Sequence, residues 1–372
     1  MPIFRRAKRW GLVISTLILA SLLLSACGEN SPSILNTAGP VADREAGLFW
    51  FILVVATIVF VIVEAILIYS IVRYREQPNS PMPKQTHGNN TVEIVWTVIP
   101  SIFLFVVLIV TIYTMFSLAQ PAGPSLNVRV VAHQWWWEFD YENTTGTTAN
   151  AHVITADELV VPTGTVIHLD LRSDNVIHSF WVPALTGKTD VVPGHNNDKW
   201  FQADKTGTYL GICTEFCGLE HAEMKFKVIA KSPDDYQTWL SGQQQVAQTS
   251  NDANVVAGSK LFLTAACAGC HGIVGSTNLK SFDDPAAENF IGPNLTHFGS
   301  RTTIAGDVLT WSLKSCVVTG SGATARISNK QACGLWQWLH DPNAIKPGTD
   351  MAIRQLSDTE IAQLVAYLES LT

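Results

Sequence analysis

Apolar and polar positions are segregated along this chain. Gly11 to Ala26 is a short apolar run, Gly47 to Val72 is apolar except for Glu64, and Ile94 to Leu118 contains no charge. The two later runs are long enough to cross a bilayer as helices. The first is too short to span comfortably, and its basic start (Arg5, Arg6, Lys8, Arg9) gives it the form of an export signal. Pro100 predicts a bend in the second span. Glu64, in mid-span, is either a helix-interface residue or a functional one. After residue 120 the pattern turns to short β-rich runs: Val128-Arg129-Val130-Val131, Glu158-Leu159-Val160-Val161-Pro162 and Val166 to Leu171. Turn residues at Pro162, Gly164, Asp174-Asn175 and Gly207 separate them, the spacing of an all-β Greek-key sandwich or barrel. Residues 231–253 are rich in Ser, Gln, Asp and Asn and read as a linker. Helical patterns return over Val255 to Ala265, Ile304 to Leu313, Gly334 to Leu339 and Asp358 to Leu371, the last with Ser357 as N-cap.

The pattern divides the chain into a signal peptide (1–26), an outer N-terminal segment (27–45), a two-helix transmembrane hairpin (46–120), a β-domain (121–230), a linker (231–253) and an all-α domain (254–372). Hydrophobic residues make up 47% of the chain and are concentrated before residue 120. Arg73, Arg75 and Lys84 between the spans predict that residues 73–93 face the cytoplasm and both hairpin ends face outward. Leu24-Ser25-Ala26-Cys27 is similar to a bacterial lipobox, which would make Cys27 a lipidated N-terminus on that same outer side; an uncleaved signal anchor is the alternative. Of the seven cysteines, Cys213 and Cys217 form one close pair and Cys267 and Cys270 another. Cys316 and Cys333 remain; in an exported protein a disulfide between them is expected, two buried thiols being the alternative.

The string from Cys213 to Met224 puts two thiols, an imidazole (His221) and a thioether within twelve residues of a β-domain. Soft sulfur with histidine selects copper, and zinc has little use for Met224. A Cys213–Cys217 disulfide is the other reading, although it leaves His221 and Met224 unexplained. A second histidine is expected from an earlier strand, and His178 in His178-Ser179-Phe180-Trp181 supplies it. His133, His152, His168 and His195 lack such a motif and read as surface or packing residues.

The C-x-E-x-C-G-x-x-H-x-x-M motif, the upstream H-S-F-W and the hairpin resemble subunit II of the haem–copper oxidase family over residues 46–230. The resemblance implies a cupredoxin-like fold and a binuclear copper centre (CuA). In it Cys213 and Cys217 bridge the metals, His178 and His221 cap them, and Met224 and the Glu215 carbonyl complete the set. The Glu215 carboxylate would share a magnesium ion with subunit I. Trp135, within His133-Gln134-Trp135-Trp136-Trp137, matches the residue through which electrons reach the copper. Three adjacent tryptophans cannot all face one side of a strand. Glu93 resembles the glutamate at the mouth of a proton channel, an interfacial carboxylate being the plainer reading. His195 stands where the family often has arginine, so that arginine's contact is not carried over.

Cys267-Ala268-Gly269-Cys270-His271 is a c-type haem attachment sequence, with His271 as proximal ligand. Lys346-Pro347-Gly348-Thr349-Asp350-Met351 resembles the methionine loop of small cytochromes c, which makes Met351 the distal ligand, with His297 and His340 as competitors. Gly292-Pro293-Asn294-Leu295 resembles the turn beside the proximal histidine. The segment between His271 and Met351 is long for this class, and a Cys316–Cys333 bridge could staple the excess.

Together these resemblances imply a caa-type member. Electrons from a cytochrome c or a quinol–cytochrome reductase would reach haem c, then CuA, then the haems and CuB of subunit I, where oxygen becomes water; subunit III is a further expected partner. The expected location is the bacterial plasma membrane, with both redox domains outside. The alternatives are the electron-input subunit of a copper-containing nitric oxide reductase and a stand-alone tethered carrier. Quinol oxidases of this family lack the copper ligands present here. The β-domain (119–230) and the C-terminal domain (251–372) carry net charges of −6 and −2. Two acidic modules attract each other little, so the linker rather than an interface is expected to hold them together.

Overall fold

The computed structural model describes residues 15, 18, 32–75, 82, 85–119, 124–141, 152–276, 279–284, 290–310 and 316–372. The chain divides into two units, Met1–Ser33 and Ile34–Thr372. In the first, Ser15 and Ile18 are helical and exposed. The remainder of the signal segment, and Cys27 with it, lies outside the described residues.

Helices α1 (Pro40–Arg73) and α2 (Asn90–Leu118) carry the two apolar runs, with mean hydropathy of 3.1 and 2.6 over their most apolar stretches. Their Ile, Val, Leu and Phe side chains are exposed, as a hydrocarbon solvent requires. Asn89 caps α2, its side chain accepting from the amides of Thr91 (3.1 Å) and Val92 (3.3 Å). The helix runs through Pro100 as one element. α1 starts seven residues before the apolar run, and Val41 and Ala42 in that extension are buried. Arg44 donates to Ser117 O (2.7 Å) and Trp200 Nε1 to Leu118 O (2.7 Å), fastening the end of α2 to α1 and to the β-domain.

Alternation builds the β-domain. In β1 (Ser125–His133), Val128, Val130 and Ala132 point inward; in β5 (Val166–Ser173), Ile167, Leu169 and Leu171 do so. The intervening strands are β2 (Trp136–Asp140), β3 (Ile154–Ala156) and β4 (Glu158–Pro162). They are followed by β6 (His178–Val182), β7 (Thr186–Val191), β8 (Asn197–Gln202), β9 (Gly207–Cys213) and β10 (Lys225–Lys231). They form two five-stranded sheets, ordered β3-β2-β1-β5-β8 and β4-β10-β9-β6-β7. β1 with β5, and β4 with β10, are parallel pairs within otherwise antiparallel sheets. Trp137, Phe139, Phe180 and Phe226 fill the space between the sheets, with Phe180 and Phe226 stacked at 4.7 Å.

The stretch read as a linker is partly a helix, α3 (Pro233–Gln243), capped by Ser232 and started by Pro233. Tyr236 and Leu240 bury in the β-domain core, and the Trp239 ring lies 5.5 Å from that of Tyr141. These three contacts suffice in a polar segment, so composition concealed them.

In the C-terminal domain α4 (Ala253–Thr264) packs on α7 (Asp358–Ser370), with the Phe262 and Tyr367 rings 5.9 Å apart. Ser357 caps α7 in a capping box with Glu360. Between them lie α5 (Gly334–His340), α6 (Pro342–Ile345) and two short hairpins. Cys316 and Cys333 are bridged, with Cα atoms 4.6 Å apart. The helix expected over Ile304 to Leu313 is, over its described residues 304–310, instead part of a hairpin, Thr303–Ile304 paired with Leu309–Thr310; residues 311–313 lie outside the described residues. Ala305, Gly306 and Asp307 all have positive φ (58°, 72° and 61°), which no right-handed helix admits.

Glu369, near the end of α7, has its carboxyl pushed up to about 8 by burial. The folded state then binds a proton that the unfolded chain releases near 4.5, so stability falls as pH rises from there to about 8. Glu369→Gln should raise the unfolding temperature of the C-terminal domain at pH 9 and leave it unchanged at pH 4. With screening allowed for, the gain is on the order of 1 kcal/mol. Equal shifts at both pH values would count against this assignment.

Candidate metal centre and haem-attachment site

The string from Cys213 to Met224 spans the turn between β9 and β10. These strands pair antiparallel up to Ile212 and Lys225, and the Cys213 amide donates to Met224 O (3.0 Å), so both ends of the string meet. β6 lies on the other side of β9, with Phe180 opposite Cys213, which brings His178 alongside. Cys213 Sγ lies 3.8 Å from Cys217 Sγ, 3.8 Å from His178 Nδ1 and 3.3 Å from Glu215 O. Cys217 Sγ lies 3.6 Å from His221 Nδ1 and 3.8 Å from Met224 Sδ. All six donors named from the sequence therefore converge. The sulfur separation far exceeds the roughly 2.05 Å of a disulfide.

His178 Nε2 faces Asn175 Oδ1 at 3.2 Å; as the oxygen only accepts, Nε2 carries the proton and Nδ1 presents a lone pair to the sulfurs. The Cys217 thiol and His178 hold Cys213 down to about 3, whereas the neighbouring Cys213 pushes Cys217 upward. Two thiolates this close repel unless cations lie between them. Buried sulfurs, two imidazoles, a thioether and a carbonyl fit a pair of soft cations such as copper.

The three tryptophans take three environments. Trp137 is in the core, Trp136 stacks on His133 at 4.2 Å, and Trp135 donates from Nε1 to Cys217 O (3.0 Å). Gln134 Nε2 donates to the same carbonyl (2.6 Å). Gly218 has φ +120°, and a Cβ there would lie 2.9 Å from the Trp135 ring, so only glycine allows this approach. Among the other histidines, His133 pairs with Asp174 (3.1 Å), His168 lies 3.7 Å from Asp198, and His195 is exposed. His152 contacts Asp140 and reaches Phe282 O of the C-terminal domain at 2.8 Å.

Cys267 and Cys270 flank a 3-10 turn, both half-buried thiols, and His271 Nδ1 donates to Pro293 O (2.9 Å). That bond fixes the orientation of the ring. A Cβ on Gly292 would lie 2.6 Å from His271 Cε1, so the turn is glycine by necessity. Met351 packs on the domain core. The competing histidines are otherwise engaged: His297 Nε2 faces Gln243 O (3.1 Å) and Gln245 O (2.9 Å), and His340 stacks on Trp336 at 4.5 Å. These residues fit a covalently held haem c. Glu93 is exposed in the first turn of α2, roughly 38 Å along the helix from Leu118 and apart from both sites. Lys346 was read from the sequence only as part of the methionine loop. It is 3% exposed, its ammonium 2.5 Å from Trp135 O, and nothing in the polar sequence around it signals that burial.

Family models match along the chain: "Cytochrome C oxidase subunit II, transmembrane domain" over 32–115, "Cytochrome C oxidase subunit II, periplasmic domain" over 126–231 and "Cytochrome c" over 255–372. The chain is 34% identical to cytochrome c oxidase subunit 2 of Alkalihalophilus pseudofirmus, covering 100% of this chain and 99% of that one. It is 33% identical to cytochrome c oxidase subunit 2 of Bacillus subtilis, over 98% of each. It is also 31% identical to quinol oxidase subunit 2 of Bacillus cereus, over 63% of this chain and 81% of that one. With a transmembrane hairpin, a cupredoxin-like domain and a cytochrome c domain in one polypeptide, the chain belongs to the cytochrome c oxidase subunit II family and is a component of a membrane-bound terminal oxidase.

Proposed function

We propose that this chain is the electron-receiving subunit of its oxidase, with the copper centre and haem on the outer face of the membrane. Haem c and a binuclear CuA centre, when bound, supply one-electron carriers between an external donor and the haems of subunit I, where oxygen is reduced to water. The observation that carries the reading is the convergence of His178 Nδ1, Cys213 Sγ, Cys217 Sγ, His221 Nδ1, Met224 Sδ and Glu215 O on one buried point. Buried donors held by a sheet change geometry little when charge changes, which favours fast transfer.

The chain's own residues then divide the work. Cys267 and Cys270 attach the haem, and His271 and Met351 ligate its iron. Trp135, bonded to the Cys217 carbonyl, receives electrons for the copper. The Glu215 carboxylate holds a magnesium ion at the boundary with subunit I, Glu93 serves proton uptake, and Cys27 is lipidated after cleavage of residues 1–26. The excess of Arg and Lys between α1 and α2 supports the outward placement of both redox domains. The donor is a cytochrome c or a quinol–cytochrome reductase, and subunit III completes the complex.

Metal and haem analysis of the purified complex, followed by turnover, tests this. The expected outcome is a copper pair with near-infrared mixed-valence absorbance, one haem c, and oxygen consumption driven by reduced cytochrome c. A copper-free complex, or one that turns over nitric oxide and not oxygen, would refute it.

A further inference from the structure

The cytochrome domain does not hang from a tether; it sits on the β-domain through a buried polar network. The turn joining β3 to β4 presents Asp157, itself at φ +60°, and Glu158, both buried. Glu158 Oε1 accepts from Thr302 N (2.6 Å), Thr302 Oγ1 (2.7 Å) and Thr303 Oγ1 (3.2 Å). Asp157 accepts from Trp137 N (2.9 Å) within its own domain and from Gly306 N (3.2 Å) across the boundary. Lys227 pairs with Asp307 at 2.8 Å. The expectation that two acidic domains need only a linker is thereby corrected: net charge averages over surfaces, whereas here opposite charges meet locally. The three consecutive positive-φ residues, Ala305, Gly306 and Asp307, all lie at this contact, so the strained tip of the hairpin is shaped to it.

Lys346 joins the network to the metal site. Its ammonium faces three carbonyls from three segments: Trp135 (2.5 Å), Ala305 (3.2 Å) and Glu223 (3.3 Å). Two residues on, Gly348 lies against the Trp135 ring; a Cβ there would be 3.6 Å from it. The same loop leads to Met351. We propose that Lys346 is a positioning residue: with the Asp157–Glu158 turn it fixes the cytochrome domain in one pose, setting the methionine loop on Trp135 and making that domain the donor with access to the tryptophan. This rests on the proposed roles of Trp135 and Met351.

Two variants of the full-length complex test it, Lys346→Met and, from the opposite domain, Glu158→Gln. Each should speed hydrogen exchange at the Thr302 and Gly306 amides about tenfold, the loss of a charge-assisted bond. Each should also slow electron transfer from ferrous haem to the oxidised copper pair about tenfold, while the haem and copper spectra stay as in the parent. One electron moves and no bond changes, so a purely local defect in haem ligation would alter the spectrum instead. Parent-like exchange and transfer in Glu158→Gln would overturn the proposal even if Lys346→Met fails to fold. Exchange reads docking without any metal, so a chain that docks but takes up no copper refutes the function proposed above and not this pose.

Discussion

Cys217→Ser is expected to empty the copper site while leaving the β-domain folded. Cys217 is 3% exposed, and its sulfur lies within 3.8 Å of Cys213, His221 and Met224, so it is the donor common to both halves of the cluster. A serine oxygen is nearly isosteric but hard, and it neither bridges soft metals nor ionises near neutral pH. Copper affinity should fall by at least about 100-fold, since even outer partners of metal ligands are worth 10- to 100-fold. Near-infrared absorbance and cytochrome-driven oxygen uptake should vanish together. Cys217 borders the core of Trp137, Phe180 and Phe226, and a near-isosteric serine leaves that packing in place, so far-ultraviolet circular dichroism should be unchanged. Wild-type copper content in this variant would remove Cys217 from the ligand set.

The second large effect is expected at the haem. Gly292→Val places a Cβ 2.6 Å from His271 Cε1 and 2.8 Å from Nδ1, with Cys270 O at 3.1 Å on the same side. Neither neighbour is the loose end of a side chain: the ring is held by its bond to Pro293 O and the carbonyl is backbone. The imidazole must therefore swing, and displacements of about 1 Å can cost on the order of 100-fold in a positioned reaction. The haem should remain attached through Cys267 and Cys270 yet turn high-spin, and oxidation of an external cytochrome c should drop at least about tenfold. A parent-like low-spin spectrum would show that the turn yields and that His271 does not depend on it.

Legibility followed sequence distance. Cys213, Cys217, His221 and Met224 share one turn between paired strands, so their spacing alone brings them within reach of a common point, and the softness of their atoms suits copper. Cys267, Cys270 and His271 are readable for the same reason. His178 required a strand-pairing guess, which β6 beside β9 satisfies. The spans α1 and α2 were legible because bilayer thickness converts directly into a count of apolar residues.

Other features depended on packing between remote segments. The hairpin at Thr303–Thr310 has a helical apolar spacing, and the left-handed turn that breaks it is stabilised by Asp157 from another domain. α3 was hidden because its few core contacts, Tyr236, Trp239 and Leu240, sit in polar surroundings, although Ser232-Pro233 signals its start.

What the amino-acid order alone determined, then, is the membrane hairpin, the two redox motifs and the family they point to, because each rests on local spacing and donor chemistry. The tertiary structure decided the docking of the cytochrome domain. An ammonium held by carbonyls of residues 135, 223 and 305 exists only after three distant backbones meet, and neither net charge nor periodicity carries information about that meeting.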